Sequence, residues 1–186
     1  MKQLILAIIV FGNVGSLIAQ NSKFDTLVSV TWNGTAWQNY SRTINNYDAD
    51  CRLKTTLFQN WDAAKSKWVD YSIKTYSYIS GNYINEVLTQ LWSNNSWANN
   101  YKLTYAYDVV FKILSVVGQT WTSDHWSNYI STSNKYDNYG YADSVLVQLS
   151  YEDHPFENSS LTISIDNSDS TLQQTINKNW NKTTSS

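Results

Sequence analysis

Thr122-Ser123-Asp124-His125 sets hydroxyls, a carboxylate and an imidazole side by side, the groups that nucleophilic hydrolysis uses. A nucleophile and its base must converge from a supporting scaffold, however, and neighbours in sequence do not form a triad. Related segments at Asn33 to Ala36, Asp62 to Lys67 and Ser93 to Ser96 carry different residues, so a solvated turn is expected. His154 lies in Tyr151-Glu152-Asp153-His154 without a partner set at metal-ligand spacing. Glutamate occurs only at Glu86, Glu152 and Glu157, so a paired-carboxylate glycosidase would have to rely on Asp. Asp48 and Asp50 could offer oxygens to Ca²⁺, but the alternating-ligand loop with its Gly is absent and a turn is the expected role. The chain is therefore expected to be no enzyme, with no catalytic residues, no metal and no cofactor.

The aromatic residues carry the stronger pattern. Trp32, Trp61, Trp92 and Trp121 each precede a second Trp, at Trp37, Trp68, Trp97 and Trp126. Ten residues after each second Trp stands a Tyr, at Tyr47, Tyr78, Tyr107 and Tyr136, and the next leading Trp always follows fourteen residues later. Only the Trp-to-Trp interval varies, being seven in the second copy and five elsewhere. Insertions are tolerated in exposed connections, so that interval reads as a turn and the constant stretches as paired elements.

The elements that carry these residues read as strands. Along the third copy, Trp97, Asn99, Tyr101, Leu103, Tyr105 and Tyr107 alternate with Ala98, Asn100, Lys102, Thr104, Ala106 and Asp108. An even separation of ten places Trp and Tyr on one face. Asn39, Asp70, Asn99 and Asn128, two after each second Trp, suit the edge of a turn. Leu57, Gln59 and Trp61, like Val117, Gln119 and Trp121, share a face of the preceding strand, and Val28, Val30 and Trp32 open the array. A second turn, rich in Asp, Gly and Asn, follows each Tyr, as in Tyr47-Asp48-Ala49-Asp50 and Ser80-Gly81-Asn82. The expected fold is all-β, an antiparallel meander of tandem β-hairpins with about 8–10 strands, as a curved or barrel-like sheet. Four repeats of about thirty residues plus a degenerate fifth copy fill residues 20–166. Gln148, Phe156 and Asn158 mark that fifth copy, and Asp166 stands where its Tyr is expected. Residues 167–186 read as a polar, frayed tail.

Residues 1–19 carry Lys2, an apolar run from Leu4 to Phe11, and Ala19 at the cut, the pattern of a cleaved signal peptide. That run is too short to span about 30 Å of hydrocarbon comfortably, and no transmembrane segment is expected in the mature chain. Losing Lys2 leaves twelve basic residues against fifteen acidic, with no basic block for nucleic acid. The single Cys51 cannot form an internal disulfide and is expected to be a small buried apolar residue. Export without disulfides points to a bacterial protein, secreted or at the cell surface.

Gln90-Leu91-Trp92, Trp97-Ala98-Asn99 and Tyr105-Ala106-Tyr107-Asp108 resemble tandem repeats of large secreted bacterial proteins that end in a type IX secretion sorting domain. The Tyr-Asp step before a Gly-bearing turn is loosely similar to the YD repeats of Rhs-type proteins. The resemblance covers roughly residues 28 to 158, and it implies an exported repeat module without transferable catalytic residues. Departures are Ile79 in place of Asp in the second copy, and Asn45 and Asn134 in place of the first tyrosine of the pair. No sorting domain is evident at the C-terminus.

Two functional readings follow. Equivalent Trp and Tyr can stack across the sheet as a packing ladder, leaving a non-catalytic module for adhesion or recognition. Alternatively Trp32, Trp37, Trp61, Trp68, Trp92, Trp97, Trp121 and Trp126 form an exposed face that stacks sugar rings beside Asn and Gln amides, a carbohydrate-binding module. Expected partners are thus an extracellular glycan or a cell-surface protein. An outer-membrane barrel needs a continuously apolar face, which neither side of Trp126 to Tyr136 provides.

Overall fold

A computed structural model of the chain describes residues 8–9, 25–138, 140–150, 154–166 and 172–180. Of the expected signal peptide only Ile8–Ile9 is among them. The elements are β1 (Ile8–Ile9), β2 (Thr26–Trp32), β3 (Trp37–Tyr47), β4 (Leu53–Asp62), β5 (Lys67–Ser80) and β6 (Tyr83–Ser93). They continue as β7 (Ser96–Tyr107), β8 (Ile113–Thr122), β9 (His125–Tyr136), β10 (Ala142–Leu149), β11 (Glu157–Asp166) and β12 (Leu172–Asn179). Strand order follows chain order from β1 to β12, a meander. Eleven strands from β2 to β12 exceed the eight to ten expected, because the fifth copy pairs fully and the tail adds one more. Leu172–Asn179, placed by sequence in a fraying tail, pairs with β11 from Asp166↔Leu172 to Ser160↔Asn179. Ile176 opposite Ile163 gives that pairing an apolar anchor.

The two turn types are built differently. Between the Trp, Asn94 and Asn95 both take positive φ (51° and 61°), the two-residue hairpin geometry that asparagine accepts. The longer second copy places its extra residues at 63–66, inside the turn and outside the ladder. After the Tyr, Asp48, Asp108 and Asp137 each close a five-residue turn. Asp108 accepts N–H groups of Val110 (2.9 Å) and Lys112 (2.8 Å) on Oδ1, and its own N–H donates to the Lys112 carbonyl at 2.9 Å. Asp48 holds Asp50 and Arg52 in the same way (3.0 and 2.8 Å), and Asp137 holds Tyr141 (2.8 Å). The third residue after the Asp turns left-handed in all three, as Cys51 (φ 60°), Phe111 (φ 63°) and Gly140 (φ 91°). Cys51 is consequently exposed at a turn rather than buried. Where the second copy has Ile79 instead of Asp, a two-residue turn with Gly81 at φ 50° replaces the motif. That is the first central position, at which a type II′ turn calls for glycine.

One-residue bulges recur in step with the repeat. Gln59 opposes Asp70 but Phe58 opposes Ser72, leaving Tyr71 extra. Tyr40, Tyr129 and Ser159 are the corresponding extra residues in the first, fourth and fifth copies. A second bulge follows the Asp turns, with Lys54, Leu114 and Asp143 extra. Each bulge shifts the alternation by one and sends the following side chains to the other face. In the first and fourth copies Trp and Tyr therefore lie on opposite faces, which corrects the same-face expectation.

The chain divides into two compact units, Met1–Ser77 with Leu88–Asn99, and Tyr78–Val87 with Asn100–Ser186. In the first unit, the Arg42 Nε donates to Gln59 Oε1 at 2.6 Å and Gln59 Nε2 donates to Asp70 Oδ1 at 2.5 Å. The Arg42 guanidinium also lies 4.8 Å from the centre of the Trp68 ring, on the same face. Gln90 Nε2 donates to Asn99 Oδ1 at 3.1 Å. Asp70 and Asn99, two after their second Trp, thus belong to cross-strand side-chain pairs with Gln and not to a turn edge, whereas Asn39 in the first copy opposes Val30.

In the second unit, Gln119 bonds Asn128 and Gln148 bonds Asn158, each at 3.1 Å, so the fifth copy keeps the pair after losing its tryptophans. The Tyr107 hydroxyl donates to the Ile84 carbonyl and Tyr136 to the Ile113 carbonyl, both at 2.8 Å, clasping each hairpin at its open end. Tyr101 lies over Gly118: a methyl there would collide with the Tyr101 hydroxyl and sit 2.7 Å from Ile130 Cγ2. Among the described residues Val87 is the one buried hydrophobic side chain, and Thr56, Ser72, Ser127, Ser131 and Ser150 are the buried polar ones.

Gly118→Ala is expected to destabilise the protein by about 1–3 kcal/mol, read from urea unfolding, because Tyr101 and Ile130 must both yield. An unchanged midpoint would mean the Tyr101 ring is not held against the strand. Titration provides a second expectation. The Arg52 backbone N–H first, and its guanidinium after it, hold the Asp48 carboxyl below its ordinary range, outweighing partial burial. Lys65 does the same for Asp62 through its ammonium and its N–H. Burial pushes the Tyr101 and Tyr107 phenols up, with neighbouring tyrosines adding to it. Depressed carboxylates stabilise the fold above their unfolded values, and that contribution is lost as pH falls through the folded ones. Raised phenols stabilise it below about pH 10, and that contribution is lost as pH rises through their folded values. Thermal melts should show a plateau with losses below about pH 4 and above about pH 10. The Asp48→Asn variant should show a smaller acid loss, and identical acid limbs would contradict the assignment.

Candidate functional site

The tryptophans meet at the neck of each hairpin. Trp61 opposes Trp68 and Trp121 opposes Trp126 directly across the ladder, and so does Trp32 with Trp37. Ring centroids are 5.4, 5.0, 4.9 and 5.0 Å apart in the four copies, with interplanar angles of 61–72°. Edge-to-face contact of this kind sets the positive rim of one indole against the negative face of the other. The Trp pairing is therefore inside each repeat, rather than between equivalent residues of adjacent repeats as expected. Lys102 adds a cation 4.7 Å from the Trp126 ring centre, in ion-pair reach of Glu86 at 3.9 Å.

Exposure separates the first pair from the rest. Trp32 and Trp37 are 51% and 44% exposed, whereas Trp61, Trp68, Trp92, Trp97, Trp121 and Trp126 are half-buried. Asn39 is on the same face as Trp32 and Trp37, placed there by the Val30↔Asn39 and Trp32↔Trp37 pairings, and it too is exposed. An indole beside an open amide is a surface that can stack a sugar ring and hydrogen-bond its hydroxyls.

The residues with the strongest catalytic appearance do line up. His125 Nδ1 is 3.2 Å from Asp124 Oδ1, and its Nε2 is 3.3 Å from Ser127 Oγ. The order is carboxylate, imidazole, hydroxyl. Burial runs the wrong way for acyl transfer, since Ser127 is 5% exposed while the Asp124 side chain is 91% exposed. A working triad buries the carboxylate and presents the hydroxyl. The sequence placed Asp124 and His125 together but missed Ser127, because only the strand alternation after the turn brings it alongside. His154 is exposed, and its carbonyl accepts the Ser150 hydroxyl. Asp48 and Asp50 are engaged with Arg52, at 2.8 and 3.1 Å. Among the described residues no cluster of His, Cys, Asp and Glu could hold a metal ion, and no helix is long and apolar enough to cross a membrane.

One feature escaped the reading of the sequence. The Asp108–Lys112 turn carries Val109-Val110-Phe111, where the first copy has Ala49-Asp50-Cys51. Val109 is 97% and Val110 64% exposed, and the Phe111 ring stacks on Tyr83 at 4.1 Å and 13°. Three apolar residues in a turn position were the available signal.

Comparison with protein-family models and with curated proteins gives no match. Solved structures do resemble the chain. A protein of unknown function from Bacteroides fragilis superposes with a TM-score of 0.57 at 14% identity, covering 70% of this chain and 92% of its own. A DUF3836 family protein from Parabacteroides distasonis gives 0.36 at 18% identity over 45% of this chain and 78% of its own. The TcdB2-TccC3-TEV structure gives 0.43 at 12% identity over 88% of this chain and 11% of that one. The first of these likenesses shows a shared fold.

A double-mutant cycle on Trp121→Leu and Trp126→Leu should return a coupling of about 0.5–1.5 kcal/mol from thermal or urea unfolding, the range for edge-to-face aromatic pairs. Additive losses would mean the two rings act only through separate burial.

Proposed function

We propose that the chain is a non-catalytic recognition or adhesion module, exported to the cell surface or beyond. The observation that carries this reading is the use made of the recurring residues. The Trp pairs, the Gln–Asn or Gln–Asp pairs, the Tyr hydroxyls and the turn aspartates are engaged within their own units. What differs between copies is the turn content, as in Asn33-Gly34-Thr35-Ala36 against Ser123-Asp124. Repeated scaffold with varied tips is how a repeat protein presents different contacts from one architecture. Export is supported by the residues 1–19 pattern and by the resemblance to secreted bacterial repeats.

A second reading is carbohydrate binding, favoured by one place in the first unit. Trp32, Trp37 and Asn39 are exposed together on one face, with Tyr40 exposed beside them. The six half-buried tryptophans support packing more than ligand contact.

Tryptophan emission should be mostly blue-shifted, with a minor fraction quenched by acrylamide that falls in the Trp32→Leu/Trp37→Leu variant to the share of Trp180, which is also exposed. Protection of that fraction by one polysaccharide from a panel would make the module a glycan binder. Indifference to all of them would remove the carbohydrate reading and leave the turns. Ester hydrolysis faster than free imidazole, and abolished by His125→Ala, would overturn the non-catalytic reading.

A further inference from the structure

We propose that the Asp108–Lys112 turn is an anchor for a lipid surface, its two valines entering the boundary between headgroups and acyl chains. This deepens the recognition reading by naming the partner of one turn, and it rests on that reading.

Four observations lead there. Val109 is almost fully exposed and Val110 largely so, forming an apolar tip, with Leu114 and Tyr83 also exposed. Three amides of the tip already have partners within the turn. The N–H groups of Val110 and Lys112 are taken by the Asp108 carboxylate, and that of Phe111 by the Asp108 carbonyl at 3.1 Å. Unpaired amides are what makes irregular backbone costly in hydrocarbon. Phe111 is held left-handed at φ 63°, a conformation bulky residues avoid, and there its ring stacks flat on Tyr83, which meets Tyr107 edge-on at 5.7 Å. The result is an aromatic collar beneath the valines, the arrangement that suits headgroup depth. Below it Lys112 places its ammonium 5.2 Å from the Tyr136 ring centre, where a lipid phosphate could reach it.

Size selects the occupant. A stable protein interface buries about 800 Å² per partner. A convex tip of two valines and a narrow collar offers less than that, so a second copy of this chain gains little by covering it. Lipid closes around a tip of any shape, and shallow insertion is reversible.

The test uses the full chain with nanodiscs of mixed phosphatidylcholine and phosphatidylglycerol containing spin-labelled lipid, read by methyl NMR. The apolar Leu4 to Phe11 stretch has lipid affinity of its own, so the site-resolved signal decides and total binding does not. Val109, Val110 and Leu114 methyls should broaden strongly, about tenfold more than those of Ile130 and Leu149 in the same unit. In the Val109→Asp/Val110→Asp variant the Leu114 broadening should vanish, while the amide spectrum elsewhere stays that of the folded chain. Uniform broadening, none at the tip, or unchanged Leu114 broadening in the variant would overturn the proposal. So would a concentration-dependent dimer that the variant abolishes, since a second copy would then be the occupant. Glycan or protein binding measured without lipid reports on the wider recognition reading separately.

Discussion

The first, second, fourth and fifth repeats contain one residue more in the second strand than the partner strand can match. The surplus is taken up at a fixed place, immediately after the Gln–Asn or Gln–Asp pair, where Tyr71 and Tyr129 have no opposite number. Everything beyond that point depends on it. The bulge puts the Trp pair and the amide pair on one face and delivers the Tyr to the other, within reach of the carbonyl it clasps. Deleting the surplus would return Tyr136 to the tryptophan face and leave the Ile113 carbonyl without its hydroxyl. The first bulge is therefore the constraint that gives both faces a function in holding the sheet.

Holding it matters because burial is shallow. With Val87 the one buried hydrophobic among the described residues, little free energy can come from a closed core. Cross-strand contacts must supply it, at roughly 0.2–1 kcal/mol for each favourable pair. That explains the density of such contacts in each unit: Arg42 to Gln59 to Asp70 in the first, and Lys102 over Trp126 or Tyr101 over Gly118 in the second. It also explains the strict spacing. A packing residue in a thick core can be replaced by a neighbour of similar volume, but a cross-strand pair fails if its register slips by one.

Regular spacing made the strand and turn arrangement legible from sequence, and the insertion in the second copy fell in the turn as its position implied. What the spacing hid was parity. An interval of ten is even on paper and odd in the sheet, because a bulge leaves no mark in composition; Tyr71 looks like any strand tyrosine. The same blindness assigned Asn128 to a turn edge, although the partner amide of Gln119 was visible at its own repeating position. Residue type alone points to a buried Cys51, whereas its place three after a turn aspartate sets its conformation and leaves it exposed. The polar composition of the tail predicts fraying. Ile176 opposite Ile163 shows how little apolar content an added strand needs when a paired edge already awaits it.

The turn aspartate explains how the tips came to differ. By taking the amides of the residues two and four positions on, it makes the five-residue turn independent of what its other side chains do. Ala49-Asp50-Cys51 and Val109-Val110-Phe111 share one backbone path although one tip is polar and the other apolar. The second copy is the control within the molecule: without the aspartate, at Ile79, the turn contracts to Gly81-Asn82 and there is no tip to vary. A carboxylate that satisfies the backbone internally thus does two things at once. It fixes the hairpin connection, and it frees the exposed positions to take up whatever surface chemistry a partner selects, including residues that water would otherwise penalise.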